Sequence, residues 1–168
     1  VIKELVENSI DAGATAITVE IKNGGVTYMR ITDNGCGIER DDVRNAFLRN
    51  ATSKIKLEDD LNNIATLGFR GEALFSVCAV SRVDLMTRTS EQLTGVHYKI
   101  EGGEEVLFED CGCSQGTTII VRDLFYNTPA RMKFLKKDSS EGSSIAKILD
   151  RIALSHPEIA FKFIRENK

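Results

Sequence analysis

The sequence has no tryptophan, only two prolines and only four cysteines among its 168 residues. A chain with so little proline and cysteine is neither a collagen-like fibre nor a disulfide scaffold. No apolar run approaches the roughly 20 residues that cross a bilayer, so the sequence argues against a membrane-embedded protein. Hydrophobic residues (42%) and charged residues (28%) occur in the proportions of soluble globular domains, which excludes a disordered tail.

The chain has 22 basic and 25 acidic residues, so neither sign of charge dominates. This balance argues against a strongly basic nucleic-acid-binding module but is compatible with a local basic patch. The P-loop pattern Gly-x-x-x-x-Gly-Lys-[Ser/Thr] is absent, so any nucleotide site is of another kind. No two cysteines show the C-x-x-C spacing, which favours a reducing intracellular compartment. Cys111 and Cys113 lack the second pair of ligands that a zinc site needs.

The length fits one domain, and we expect residues 1–168 to form a single one. The first residue is Val1 rather than Met, and Val1–Ala12 already has a helical pattern with no capping residue before it. A strand-like alternation, Ile159–Ile164, is followed by only four polar residues. We therefore expect a fragment truncated at its amino end, with further chain allowed for at its carboxyl end.

Helical and strand-like patterns are interspersed along the chain. Helices are predicted at Val1–Ala12, Arg40–Leu48, Leu57–Ile64, Glu72–Val80, Pro129–Leu135 and Ile145–Ala153. Strands are predicted at Ile17–Ile21, Thr27–Ile31, Val83–Thr89, Val96–Ile100, Glu105–Phe108, Thr118–Val121 and Ile159–Ile164. Asn23-Gly24 indicates a hairpin turn, and the polar, Ser-rich segment Lys136–Ser144 indicates a flexible loop. This order predicts an α+β two-layer sandwich, with a mixed, mostly antiparallel sheet and helices on one face.

Three segments combine polar side chains with glycines in ways that suit a binding site. On the first helix, Glu4, Asn8 and Asp11 project within an arc of about 60°, where the polar face meets the apolar stripe. An ordinary amphipathic helix with a solvated acidic edge fits that helix equally well. The segment Asp33–Gly37 places a carboxylate and two glycines at a strand exit. Gly68–Leu74 runs into a helix, and backbone N–H groups at such a start favour an anion.

Together and in this order, the segments resemble the GHKL ATPase superfamily, which includes DNA gyrase, histidine kinases and MutL. The resemblance covers about three-quarters of the chain and rests on Lys3–Thr15, Asp33–Ile38, Ala51–Ile55, Gly68–Leu74, Gly116–Thr118 and Leu124–Arg131. The stretch Phe-Tyr-Asn-Thr-Pro-Ala-Arg at 125–131 is similar to the MutL branch, which acts in DNA mismatch repair. The resemblance implies the GHKL, or Bergerat-type, sandwich.

The resemblance also implies an ATPase that uses ATP and Mg²⁺. Glu4 matches the general base that positions the attacking water, a role that suits phosphoryl transfer because alignment dominates its catalysis. Asn8 matches the amide ligand of Mg²⁺, an ion that fills most of its octahedron with phosphate oxygens and water. Asp33 matches the acceptor for the exocyclic amine of adenine, and guanine presents an oxygen at that position.

Further nucleotide contacts follow from the same resemblance. Around the base and Mg²⁺ they fall on Asp11, Gly35, Gly37, Ile38, Thr117 and Thr118. In the family's ATP lid they fall on Thr52, Ser53, Lys54, Gly68, Phe69, Arg70, Gly71, Glu72, Ala73 and Leu74. Either threonine also fits a plain β-branched strand position, and the Lys and Arg also fit solvated surface cations. We expect ATP to order a lid that is mobile without nucleotide.

For the whole protein, the resemblance implies an ATP-bound homodimer, weak DNA contact without sequence specificity, and a MutS-like mismatch-recognition partner in the bacterial cytosol, near the nucleoid. The family's upstream arm and second-domain lysine lie outside these residues, so we expect the fragment to be monomeric, with weak ATP binding and little or no hydrolysis. Alternatives are a type II topoisomerase subunit and a non-hydrolysing nucleotide-binding module. The segment Arg122–Lys137 carries a local excess of positive charge, which includes Arg131, Lys133, Lys136 and Lys137. This charge suits either contact with DNA phosphates or a solvated helix face.

Overall fold

A computed structural model describes residues 1–48 and 73–166 of the chain. The helices are α1 (Ile2–Asp11), α2 (Ala73–Cys78), α3 (Pro129–Met132) and α4 (Asp138–Ser155). The strands are β1 (Ala16–Lys22), β2 (Tyr28–Asp33), β3 (Arg82–Arg88), β4 (Gly95–Glu101), β5 (Glu104–Cys111), β6 (Gly116–Arg122) and β7 (Ala160–Arg165). Short 3-10 turns occupy Asn23–Gly25, Arg40–Asp42 and Asn45–Phe47.

All seven strands form one sheet in the order β5-β4-β3-β6-β2-β1-β7. Every neighbouring pair is antiparallel except β1 and β7, which run parallel with Ile17 opposite Phe161. The Asn-Gly hairpin between β1 and β2 forms as predicted. The mixed, mostly antiparallel sheet expected from the sequence is therefore confirmed.

The core lies between one face of the sheet and the helices. Side chains alternate along a strand, so each strand sends every second residue toward the helices. These inward positions are almost wholly buried and include Ile17, Val19, Ile21, Ile31, Val83, Leu85, Val96 and Val121. From the helix side, α1 contributes Ile2, Leu5 and Val6, so its apolar stripe is the face that packs on the sheet. Each such side chain contributes about 1.5–3 kcal/mol when fully buried.

The other face of the sheet is more polar and carries paired charges, although the apolar Ile120 of β6 stands opposite Asp84 there. Asp84, in the middle of β3, is buried and accepts from His97 Nε2 at 2.9 Å and from the Arg122 guanidinium. On the neighbouring strands Arg30 pairs with Glu20 at 2.6 Å. A sheet of this kind presents one apolar and one polar face, as antiparallel sheets commonly do.

The segment Lys136–Ser144 is not the flexible loop that its composition predicts, because α4 begins at Asp138. Two acidic residues, Asp138 and Glu141, lie in the first turn, where the helix dipole favours negative charge. Glu141 Oε1 also accepts the Lys136 N–H at 2.9 Å, and Arg165 Nη2 from β7 donates to the Ser139 carbonyl at 3.1 Å. Local capping and tertiary contacts thus outweigh the weak helix propensity of the serines.

The helix predicted at Arg40–Leu48 is likewise wrong, since this segment forms two short 3-10 turns. The arginines of this segment pair with acidic residues of the edge strand β5. Arg44 pairs with Glu105 through two hydrogen bonds of 2.7 and 2.8 Å, and its guanidinium lies 3.9 Å from the centroid of the Phe108 ring. The helix predicted at Leu57–Ile64 lies outside the described residues.

Candidate functional site

Asp33, the last residue of β2, is the centre of a hydrogen-bonded cluster. Its Oδ2 accepts the hydroxyl of Ser9 at 2.7 Å, and its Oδ1 accepts the backbone N–H groups of Gly35 at 2.9 Å and Thr117 at 3.2 Å. The residue is only 8% exposed. Three donors from α1, the loop after β2, and β6 therefore fix one carboxylate at the edge of the core.

The loop after Asp33 is tied to the end of α1. Asn34 Oδ1 accepts the backbone N–H groups of Thr15 and Ala16, each at 2.9 Å, and its amide donates to Thr15 Oγ1 at 2.9 Å. Cys36 N–H donates to the Ala12 carbonyl at 2.9 Å. The Asp33–Gly37 segment is thereby held beside the helix that carries Glu4 and Asn8.

Two glycines let strand ends approach closely in this region. Gly37 has φ +76°, and a Cβ there would lie 2.3 Å from the Arg88 carbonyl oxygen. Gly116 has φ +109°, and a Cβ there would lie 2.1 Å from the Asp33 carbonyl oxygen. Both conformations disfavour any side chain, so the packing of β2, β3 and β6 at this corner requires glycine.

The acidic edge of α1 faces outward beside the cluster. Glu4 is half-buried, whereas Asn8 and Asp11 are exposed. Within the described residues the Asn8 amide makes no side-chain hydrogen bond, so its oxygen is available to a ligand. One helix thus presents Glu4 and Asn8 one turn apart and Ser9 toward Asp33.

Of the two threonines expected at the base, the structure brings only one to Asp33. Thr117 is directly opposite Asp33 in the β2–β6 register. Thr118 is on the other face of the sheet, where its hydroxyl donates to Thr32 Oγ1 at 3.2 Å. Because adjacent strand residues point to opposite faces, Thr118 does not contribute its side chain to this cluster. The expectation for Thr118 therefore has to be corrected.

Two hydroxyl groups of the cluster were not found from the sequence. Nothing in the local sequence distinguishes Ser9 from any other small residue of a helix. Only its hydrogen bond to Asp33, which is distant in the chain, indicates a role. Thr87 is fully buried at the end of β3, and its Oγ1 accepts the Ile38 N–H at 2.9 Å. It also lies 3.1 Å from the Gly116 carbonyl and 3.0 Å from Thr117 Oγ1. No local sequence pattern predicts that Ser9 or Thr87 belongs to this cluster.

Most of the expected lid lies outside the described residues, namely Thr52, Ser53, Lys54, Gly68, Phe69, Arg70, Gly71 and Glu72. The remaining two, Ala73 and Leu74, are half-buried at the start of α2. The cations of the expected basic patch, Arg131, Lys133, Lys136 and Lys137, are all exposed. Arg131 lies over the Phe125 ring, 5.9 Å from its centroid.

Residues 1–48 and 73–166 contain no group of three or more His, Cys, Asp or Glu side chains placed to hold a metal ion. In the same part of the chain, no helix combines the length and apolar character needed to span a membrane. The cluster at Asp33 therefore consists of hydrogen-bond donors and acceptors. The side-chain amide of Asn8 lies on α1, the helix that also contributes Ser9 to the cluster.

The chain is similar to curated DNA mismatch-repair proteins. Over its full length the chain is 60% identical to MutL, a DNA mismatch repair protein, of Agathobacter rectalis, and 53% identical to MutL of Clostridium acetobutylicum. It covers 26% and 27% of those proteins, so it spans about a quarter of the curated relatives that it matches.

Solved structures show the same fold. The ATPase domain of Aquifex aeolicus MutL complexed with ADP is 34% identical, with a TM-score of 0.76 over 98% of this chain and 57% of that one. An N-terminal domain of a DNA repair protein gives a TM-score of 0.80 at 30% identity, over 97% of this chain and 46% of that one. The family model for histidine kinase-, DNA gyrase B- and HSP90-like ATPases matches residues 1–109. The chain therefore belongs to this ATPase family.

Proposed function

We propose that this chain is the ATP-binding and ATP-hydrolysing part of a MutL-like DNA mismatch-repair protein. The observation that carries the proposal is the Asp33 carboxylate, held by Ser9, Gly35 and Thr117 at a corner formed by α1, β2 and β6. A fixed carboxylate accepts the exocyclic amine of adenine and repels the oxygen of guanine. The identity to MutL proteins and the ADP complex of a similar domain support adenine nucleotide as the ligand.

In this proposal Glu4 positions the water that attacks the γ-phosphate. Its half-buried carboxylate lies on the helix that also carries the Asp33 contact Ser9. Phosphoryl transfer depends mainly on alignment and charge stabilisation, and a carboxylate that orients the attacking water supplies the alignment part.

Mg²⁺ would be held by the Asn8 amide oxygen together with phosphate oxygens and water. The exposed, unbonded amide fits this ion, because Mg²⁺ takes few protein ligands and keeps several waters. When bound, the ion would neutralise phosphate charge. The remaining proposed nucleotide contacts are Asp11, Gly35, Gly37, Ile38, Thr117 and the lid residues named above.

For the whole protein we further propose ATP-driven lid ordering and homodimerisation, with coupling to DNA and to a MutS-like partner in the bacterial cytosol. MutL identity over the entire chain supports this role. The exposed cations Arg131, Lys133, Lys136 and Lys137 offer phosphate contacts that would weaken steeply with salt.

The proposal is tested by separating binding from hydrolysis. In the full-length protein, with Mg²⁺ and ATP, Glu4→Ala should abolish turnover yet bind a non-hydrolysable ATP analogue as the parent protein does, whereas Asp33→Asn should lose binding. Glu7→Ala is the matched control, since Glu7 lies on the same helix and, among residues 1–48 and 73–166, forms an ion pair with Lys3 alone, at 3.5 Å. Turnover by Glu4→Ala at the parent rate would refute the general base. Binding without turnover by the full-length parent protein would instead identify a non-hydrolysing module.

A further inference from the structure

Cys111 and Cys113 bring two thiols together at the end of strand β5. Cys111 is the last residue of β5 and stands directly opposite Gly95, the first residue of β4. A Cβ on Gly95 would overlap the Cys113 sulfur, so this sulfur occupies the place that a side chain at position 95 would take. Opposite residues of an antiparallel pair have Cβ atoms about 4.5–5.5 Å apart. The missing side chain of Gly95 therefore places the Cys113 sulfur beside Cys111.

The two thiols are held together and are open to solvent. Each of the two cysteines is half-buried. Arg88, on the neighbouring strand β3, donates from Nε to the Cys113 carbonyl at 2.9 Å, which fixes the backbone of Cys113 in this position. The thiol of Cys113 also hydrogen-bonds that of Cys111. A small reagent in solution can therefore reach a pair of sulfur atoms that already touch.

The other two cysteines do not have this arrangement. All four cysteines of the chain lie in residues 1–48 and 73–166. Cys78 is buried in α2, where its thiol donates to the Phe75 carbonyl at 3.1 Å. Cys36 is exposed, and its thiol donates to the Gly37 carbonyl at 3.4 Å. Adjacent and accessible thiols thus occur at Cys111 and Cys113 alone.

We propose that Cys111 and Cys113 form a reversible redox site, which a low-molecular-weight disulfide such as glutathione disulfide converts into an intramolecular disulfide. This inference goes beyond the proposed ATPase and does not depend on it. Disulfides that form in reducing compartments are usually transient and redox-sensing, which suits a pair of free thiols on an otherwise unlinked chain.

The reaction proceeds by two thiol–disulfide exchanges. The Cys113 thiolate attacks one sulfur of glutathione disulfide, so that a bond from Cys113 to glutathione forms, the sulfur–sulfur bond of the reagent breaks and one glutathione thiolate leaves. Cys111 then gives its proton to solvent and attacks the Cys113 sulfur, which expels the second glutathione. The chain loses two protons and two electrons, and the reagent gains them as two thiols.

The order of the two exchanges follows from the surroundings of Cys111. Burial, reinforced by Cys113, raises the pKa of Cys111 to about 11. Because the thiolate is the nucleophile, Cys111 is a slow first attacker at neutral pH. In the second exchange it reacts within the same chain, one residue away from the mixed disulfide, so proximity compensates for its low thiolate fraction. Cys113 is therefore the attacking thiol and Cys111 the resolving thiol.

The test incubates the reduced chain with excess glutathione disulfide near neutral pH and follows it by mass spectrometry of the intact chain and of its tryptic peptides. We expect the peptide that contains both cysteines to become lighter by two hydrogen atoms, and a dithiol reductant to restore its mass. Cys111→Ser should instead stop at one glutathione adduct on Cys113. Cys36→Ser is the matched control and should close the ring as the parent chain does.

Stable glutathione adducts on both cysteines would overturn the proposal, as would an unmodified pair under conditions that modify Cys36. Loss of ring closure in Cys36→Ser would also overturn it, because Cys36 would then belong to the disulfide. Cys113→Ser should form its adduct on Cys111 several times more slowly than Cys111→Ser forms one on Cys113, and equal rates would refute the assigned order. Since every readout is a mass, failure of this inference leaves the proposed function untouched.

Discussion

The hydroxyl of Ser9 donates a 2.7 Å hydrogen bond to Asp33 Oδ2, which joins the first helix to the end of the second strand. Both residues are buried, at 3% and 8% exposure. The bond therefore links the helix proposed to act on the phosphates with the carboxylate proposed to read the base.

Removing that hydroxyl tests the link. Ser9→Ala leaves a buried carboxylate oxygen short of a donor, so we expect a loss of about 1–3 kcal/mol in the free energy of unfolding, together with weaker adenine-nucleotide binding. Urea denaturation and nucleotide titration measure the two effects. Ser143→Ala is the control, since its hydroxyl bonds the Ser139 carbonyl at 2.7 Å on an exposed surface. Equal effects of the two substitutions would contradict the prediction.

A close approach of two backbone segments predicts a steric effect at Gly37. Gly37→Ala would place a Cβ 2.3 Å from the Arg88 carbonyl oxygen at a φ of +76°, so we expect destabilisation of about 2 kcal/mol or more. Gly112→Ala is the matched control, because a Cβ there meets nothing within 4 Å. Thermal unfolding should show a lower Tm for Gly37→Ala alone. A parent-like Tm for that variant would show that the corner is not as rigidly packed as described.

The thiol of Cys111 predicts a dependence of stability on alkaline pH. Burial, reinforced by the adjacent Cys113, raises the pKa of Cys111 from 9.0 to about 11. The folded state then holds the proton more tightly than the unfolded state, so this stabilisation is present below about pH 9 and is lost as pH rises toward 11. Urea midpoints near pH 8 and near pH 10.5 should differ less in Cys111→Ser than in the parent chain.

Cys36→Ser is the control for that comparison, because Cys36 is exposed and lies in a different loop. Its two urea midpoints should differ as much as those of the parent chain. If Cys111→Ser and Cys36→Ser behave alike, other groups account for the alkaline loss of stability.

Local patterns sufficed for much of the fold. The apolar spacing of α1, the Asn-Gly turn and the alternation of the strands each specify structure within a few neighbouring residues. The first part of α4 was missed because its helix depends on Glu141 bonding Lys136 and on contact with Arg165 from another element. The Arg40–Leu48 segment was missed for the same reason, since its shape follows from a distant strand.

The candidate site also combines residues that local sequence predicts with residues whose role depends on distant contacts. Asp33, Gly37 and Thr117 could be predicted as site candidates because they lie in short, ordered motifs that the family shares. Ser9 and Thr87 were missed because one hydroxyl carries no local signal, and its partner lies 24 or 30 residues away in the chain. Thr117 and Thr118 share one motif, but their side chains lie on opposite faces of the sheet because neighbouring strand residues alternate.

The donors to Asp33 come from a helix, a loop and a distant strand, so this carboxylate is oriented only when those elements are already assembled. The conformational entropy of arranging it is lost during folding rather than during ligand association. The proposed base-recognition site at this corner is therefore preorganised. On heating, it should disappear together with the global unfolding transition rather than before it.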